Sequence, residues 1–155
     1  MKFLKIALGS DHRGFFLKNF IKNKLEGEGI FIFDFGINEE EICDYPDFAI
    51  KVAESVSRGN FDYGILICMT GIGMSISANK VKGIRAAICN TPQDAYYARA
   101  HNDANILCIG SKEFQKEPQK ALEIIKIFIK TPFEGGRHLK RLEKIRMYED
   151  KNFSK

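Results

Sequence analysis

Asp62-Tyr63-Gly64-Ile65-Leu66-Ile67-Cys68-Met69-Thr70-Gly71-Ile72-Gly73-Met74-Ser75-Ile76-Ser77-Ala78-Asn79-Lys80 reads as a buried strand, a glycine turn and a helix start in immediate succession. Tyr63 to Ile67 is a short apolar run of β-favouring residues. Gly71 and Gly73 interrupt it, so the chain leaves the strand end and turns sharply before Ser75 to Lys80 continues as helix. A helix start at that point aims unpaired backbone N–H groups and a positive dipole end into the turn, which suits an anionic group or a developing oxyanion. Cys68 and Thr70 sit at its lip.

Two glycine-loop readings fail on particular residues. Counted from Gly71, a dinucleotide fingerprint needs its third glycine at Ile76, and a triphosphate loop needs serine or threonine after Lys80, where Val81 stands. A bound nucleotide is therefore not indicated. A small anion site with a thiol beside it remains, and a helix start favours the thiolate form of such a thiol. Cys68 reads either as a nucleophile or base, or as one more small buried side chain at a strand end.

A chain of 155 residues with 45% hydrophobic content suits one domain over residues 1–155, with a helical tail from about residue 137. The net charge of +4 gathers partly around Arg137 to Arg146, a weak footprint for nucleic acid and a better one for a local phosphate. No charged leader with a cleavage site precedes a long apolar stretch, and no apolar run is long enough to span a bilayer, so a cytoplasmic protein without a membrane partner is expected. The four cysteines, Cys43, Cys68, Cys89 and Cys108, lack paired spacing, which argues against a disulfide framework or a zinc site.

Around the quoted stretch, strands are expected over Lys5–Gly9, Ile30–Phe35, Ile84–Cys89 and Ala104–Ile109. Helices are expected over Phe15–Leu25, Pro46 to about Arg58, Gln93–Ala100, Pro118–Ile129 and from Arg137 onward, with Lys151–Lys155 frayed. Phe16, Phe20 and Ile21 share a face of the first helix, and Ala121, Leu122, Ile125 and Phe128 one of the fifth. Regular alternation with short connections implies a three-layer α/β/α, Rossmann-like fold on a five-stranded parallel sheet. No internal repeat or low-complexity tract interrupts it.

Asp11 and His12 follow the first strand, where ligands collect in such folds, although an aspartate there also caps a helix and a histidine there can simply be solvated. Tyr45, held extended by Pro46, faces a site or packs at its rim. His101-Asn102-Asp103 precedes a strand, the wrong end for a site unless a neighbouring subunit uses it, and is otherwise a helix stop. Arg137 and Arg141, four apart, share a helix face. They would repel one another without an anion between them, so a phosphate grip is favoured over a solvated basic face. No metal-ligand spacing appears among these residues, and a thiol base, an anion turn, a histidine acid and a phosphate grip are the parts that move a proton through an enediolate.

In five segments taken together the chain resembles the type B ribose-5-phosphate isomerases, a family grouped with galactose-6-phosphate isomerase. They are Gly9-Ser10-Asp11-His12, Asp44-Tyr45-Pro46, Ile65 through Lys80, His101-Asn102-Asp103, and Glu134-Gly135-Gly136-Arg137-His138 with Arg141. The resemblance implies a metal-independent aldose–ketose isomerase of the pentose phosphate pathway, without cofactor. In it Cys68 shuttles a proton between C2 and C1, Thr70 assists, and the turn through Met69, Gly71, Ile72 and Gly73 to Met74 holds the enediolate oxygen. It further implies that His101 opens the furanose ring, Asp11 and Asn102 orient sugar hydroxyls, Tyr45 lines the pocket, and His12, Arg137 and Arg141 bind phosphate. Two subunits of a homodimer build each site, with the helical tail reaching to the partner and a tetramer left open.

Three departures accompany the resemblance. Met69 stands where many members have glycine, which stiffens the turn and narrows the pocket; Lys112 replaces a phosphate-contacting arginine as a point charge; Met74 replaces a glutamate that serves as base in a subset. A hexose 6-phosphate substrate is the nearest alternative, and a non-catalytic phosphosugar sensor a more distant one. Galactose-type chains often lack the His-Asn-Asp and Glu-Gly-Gly-Arg-His motifs present here, which favours the five-carbon sugar.

Overall fold

Lys5–Ser10 (β1) buries Ile6 and Leu8 against one layer and Ala7 against another, the two-residue period of a strand covered on both faces. The computed structural model describes residues 3–153. Its sheet adds Phe31–Asp34 (β2), Tyr63–Cys68 (β3), Ala86–Ile88 (β4) and Ile106–Gly110 (β5), all paired in parallel in the order β2-β1-β3-β5-β4. This is the expected three-layer α/β/α arrangement on five strands.

One face is covered by Phe15–Gly27 (α1), Pro92–Ala100 (α4) and Pro118–Lys130 (α5), which bury Leu17 and Ile21, Ala95 and Ala98, and Leu122, Ile125 and Phe128. Tyr45–Ser57 (α2) and Ile72–Ala78 (α3) cover the other through Val52, Val56, Met74 and Ala78. Leu139–Asn152 (α6) buries none of its residues and lies outside both layers, tied to the loop before β4 by a Lys82–Asp150 ion pair at 2.9 Å and the Gly83 amide on Glu149 at 3.2 Å. No helix among the described residues is long and apolar enough to cross a membrane.

Several boundaries differ from expectation for local reasons. β4 keeps three residues of Ile84–Cys89, because the Ile84 amide closes a turn onto Val81 and the Arg85 amide bonds the Asn105 side chain. Helix α3 starts at Ile72 and ends at Ala78, before Lys80. Arg137 lies in a separate 3-10 turn, Gly136–His138, so α6 begins only at Leu139; it continues through Lys151 and Asn152, while residues 154 and 155 of the expected frayed end lie outside the described residues. On α1, Leu17 is buried where Phe16 was expected, and Phe16 stays exposed.

Buried Lys18, on α1, was not singled out by its sequence context. Its ammonium donates to Asp34 Oδ2 and to the Ile37 carbonyl, both at 2.6 Å, and so fixes the loop after β2 beside the end of β1. Close packing at that end is also set by Gly14, where a β-carbon would stand 2.6 Å from the Ile67 carbonyl oxygen. Gly14→Ala is expected to destabilise the fold by about 1–3 kcal/mol, read as a lower urea midpoint at unchanged slope.

Candidate active site

Crossovers leave β1 and β3 in opposite directions across the sheet, so a crevice opens at their carboxyl ends, the position where open α/β sheets take ligands. Ser10 pairs with Ile67 and Cys68 with Gly110, which brings the ends of β1, β3 and β5 level. Asp11 and His12, the turn from Cys68 to Gly73, and Ser111-Lys112 therefore meet at one rim.

Gly71 adopts the left-handed conformation, φ 80°, that ends the strand and starts α3. The turn it makes folds the Gly71 amide back onto Cys68 Sγ at 3.1 Å, and Thr70 Oγ1 accepts from the Ile72 amide at 3.2 Å. The next first-turn amides, those of Gly73 and Met74, have no partner within the helix and are the ones available to an oxyanion. The other cysteines are placed differently. Burial pushes the Cys89 thiol up to about 12 and raises that of Cys108 well above its ordinary value, which keeps both as neutral thiols. Half-buried Cys43 is also pushed up by burial.

Met69 adopts no left-handed conformation, since Asp103 is the one non-glycine with positive φ among the described residues, so a side chain is accommodated there without backbone strain. Its side chain is exposed at the rim, and its carbonyl accepts the Lys112 amide at 3.2 Å. The Lys112 ammonium is solvent-facing, 3.7 Å from Glu113. Tyr45 lies against Gly73, where a β-carbon would meet its ring at 2.6 Å.

Asp11 Oδ1 caps the 3-10 turn His12–Gly14, accepting the Arg13 and Gly14 amides at 3.0 and 3.2 Å. The capping reading is thus realised alongside any role in the crevice. Burial raises its carboxyl above the usual range, and those two amides pull the other way. His12 Nδ1 accepts the Cys43 amide at 3.3 Å, which leaves Nε2 to carry the proton and to donate to an anion. Nothing in the sequence around Cys43 signalled this contact.

A second group forms where α4 ends. His101 stacks on His138 with ring centroids 4.2 Å apart and planes at 16°, and the Tyr97 ring packs on its other neighbourhood at 4.7 Å. The Glu134 amide donates to the Ala100 carbonyl at 3.0 Å, which docks the Glu134–His138 loop here. Asn102 is exposed, with its carbonyl on Arg85 at 3.2 Å, and Asp103 is held by Arg99 at 2.8 Å. Arg137 and Arg141 are exposed, Arg141 lying 3.5 Å from His138 Nδ1. Donor atoms of His101, Glu134 and His138 fall within 4.8 Å of one another. Glu134 Oε2 faces Nε2 of both rings, 3.9 Å from His101 and 3.5 Å from His138, so the two imidazoles share one carboxylate.

This second group precedes β5, whereas Cys68 is the last residue of β3, so the two groups occupy opposite ends of the parallel strands. Five strand residues separate those ends by about 16 Å. The structure therefore gathers Asp11, His12, Tyr45, Cys68, Met69, Thr70, Gly71, Ile72, Gly73 and Lys112 in one place and His101, Asn102, Arg137 and Arg141 in another.

Sequence and fold comparisons agree on what this arrangement resembles. The profile described as Ribose/Galactose Isomerase matches residues 6–145. The chain belongs to the ribose/galactose isomerase family. Ribose-5-phosphate isomerase B of Escherichia coli is 44% identical over 147 residues, covering 95% of this chain and 97% of its own. The structure of Clostridium thermocellum ribose-5-phosphate isomerase B superposes with a TM-score of 0.92 at 48% identity, covering 96% of this chain and 99% of the other. That of Mycoplasma genitalium ribose-5-phosphate isomerase B with bound ribulose-5-phosphate gives 0.91 at 40% identity, covering 96% and 98%. Among residues without an expected role, this family member places Cys43 on His12 and Glu134 beside Nε2 of both stacked histidines.

Proposed function

We propose that the protein is a ribose-5-phosphate isomerase, interconverting ribose 5-phosphate and ribulose 5-phosphate through an enediolate, as one isomerase domain over residues 1–155. The observation that carries this reading is the Cys68 sulfur under the Gly71 amide, level with Asp11 and His12 at the carboxyl end of the sheet. The relatives named ribose-5-phosphate isomerase B, one of them with bound ribulose-5-phosphate, support the five-carbon sugar over a hexose phosphate.

Ring opening comes first: the anomeric hydroxyl proton leaves to solvent, its electron pair becomes the C1 carbonyl, and the ring oxygen takes a proton from His101. The Cys68 thiolate then removes hydrogen from C2 to give an enediolate whose oxygens face the turn amides, with Thr70 assisting proton movement between O2 and O1. The S–H exchanges its proton with water and then protonates C1, completing the ketose and restoring the thiolate. Asp11 and Asn102 orient sugar hydroxyls, Tyr45 walls the pocket, and His12, Arg137 and Arg141 hold the phosphate, with Lys112 as an outlying charge.

Because His101, Asn102 and the arginines lie at the opposite end of the strands, a second copy supplies them, and the working unit is a homodimer with shared sites. An apolar groove of about 420 Å³ between β4 and α6, lined in part by Ile84, Leu142, Ile145 and Tyr148, supports such pairing. The four free thiols fit a reducing cytoplasm.

Conversion of ribose 5-phosphate should proceed at the same rate with and without a strong chelator; loss of turnover restored by added metal would overturn the base assignment. Arg137→Ala is expected to raise KM for ribose 5-phosphate about 10–100-fold with kcat largely kept, since a charge-assisted contact to the non-reacting phosphate is lost. An unchanged KM would remove Arg137 from the phosphate site.

A further inference from the structure

Glu134 has no part in the mechanism above, yet it is the group on which the second cluster converges. Its Oε2 lies 3.9 Å from His101 Nε2 and 3.5 Å from His138 Nε2, and its Oε1 accepts the Tyr96 hydroxyl at 3.3 Å. His138 is buried, and its Nε2 has no hydrogen-bond partner in the free chain, so this nitrogen and that of His101 compete for one carboxylate oxygen. The stack prevents His101 from turning away, and the Glu134 amide on Ala100 anchors the carboxylate to the residue before His101.

We propose that Glu134 is a positioning residue for ring opening. Resting on the assignment of His101 as the acid, the proposal is that Glu134 holds the proton of His101 on Nε2, leaves Nδ1 for the sugar, and stabilises the imidazolium from which the ring oxygen takes its proton. The arrangement parallels a carboxylate that orients a catalytic histidine through its far nitrogen. The 3.9 Å separation in the free chain is of the kind that shortens to a hydrogen bond once substrate is bound. His138 remains the neutral member of the stack, since burial, then His101 and Arg137, push its pKa down while Glu134 opposes them. A neutral His138 draws less on the carboxylate charge than an imidazolium at His101 does.

Chemistry of the two substrates separates this role from a merely structural one. Ribose 5-phosphate is mainly a closed furanose, whereas ribulose 5-phosphate has its C5 oxygen phosphorylated, cannot close a furanose ring and is open-chain. Turnover of ribose 5-phosphate therefore requires ring opening, while initial exchange of the C1 hydrogen of ribulose 5-phosphate with deuterated water reads the sulfur step alone. In the full-length protein, Glu134→Gln is expected to slow ribose 5-phosphate turnover about 10–100-fold and to leave exchange from ribulose 5-phosphate at the wild-type rate. Equal slowing of both, or of neither, would overturn the proposal. His101→Asn run in parallel keeps the two readings apart. If it leaves ribose turnover intact, the His101 assignment falls; if it slows turnover while Glu134→Gln does not, only the role of Glu134 falls.

Discussion

Cys68→Ala is expected to lower ribose 5-phosphate turnover by about 10²–10⁴-fold, the usual worth of a positioned general base, with little change in KM. Nothing else at the rim replaces the sulfur. Asp11 is committed through Oδ1 to two backbone amides, and Met74 offers no carboxylate. The substitution removes one atom from a site that is 5% exposed, so the fold should survive and the phosphate-binding groups should be untouched. Cys68→Ser tests the chemistry more narrowly: a hydroxyl keeps the Gly71 hydrogen bond but is a far weaker acid than a thiol. A serine variant near wild-type turnover would mean that the sulfur only packs.

Mixing two inactive variants is the second large effect. Cys68→Ala and His101→Asn homodimers each spoil both of their sites. In a heterodimer one site collects both substitutions and the other collects neither, because an isologous pair exchanges the same two surfaces. Unfolding and refolding an equimolar mixture should therefore restore about a quarter of wild-type activity. Mixtures that stay as inactive as either parent would place Cys68 and His101 in one chain's site, against the separation across the sheet.

Strand and helix order was legible because the strands carry long buried apolar runs and the helices a strong period, and both signals are local. Tyr63–Cys68 and Pro118–Lys130 are examples. Ile84–Cys89 was overextended because the Arg85 amide is taken by the Asn105 side chain, a contact from 20 residues away that no local pattern records. Phe16 was misplaced because hydrophobic spacing alone did not choose between it and Leu17. At the site, the glycine turn with Cys68 was visible as chemistry. The wrong-end position of His101 was visible as an anomaly, and the sheet topology keeps it at that end. The contacts of Cys43 and Glu134 were hidden, since one is made by a backbone amide and the other with two histidines from distant segments.

Hydrogen carried on sulfur leaves a mark that solvent can read. Wild-type protein acting on ribose 5-phosphate in deuterated water should place deuterium at C1 of the ribulose 5-phosphate formed, and Cys68→Ala should almost stop that incorporation. Ketose formed without deuterium, or label entering at the wild-type rate in the alanine variant, would contradict proton transfer through Cys68.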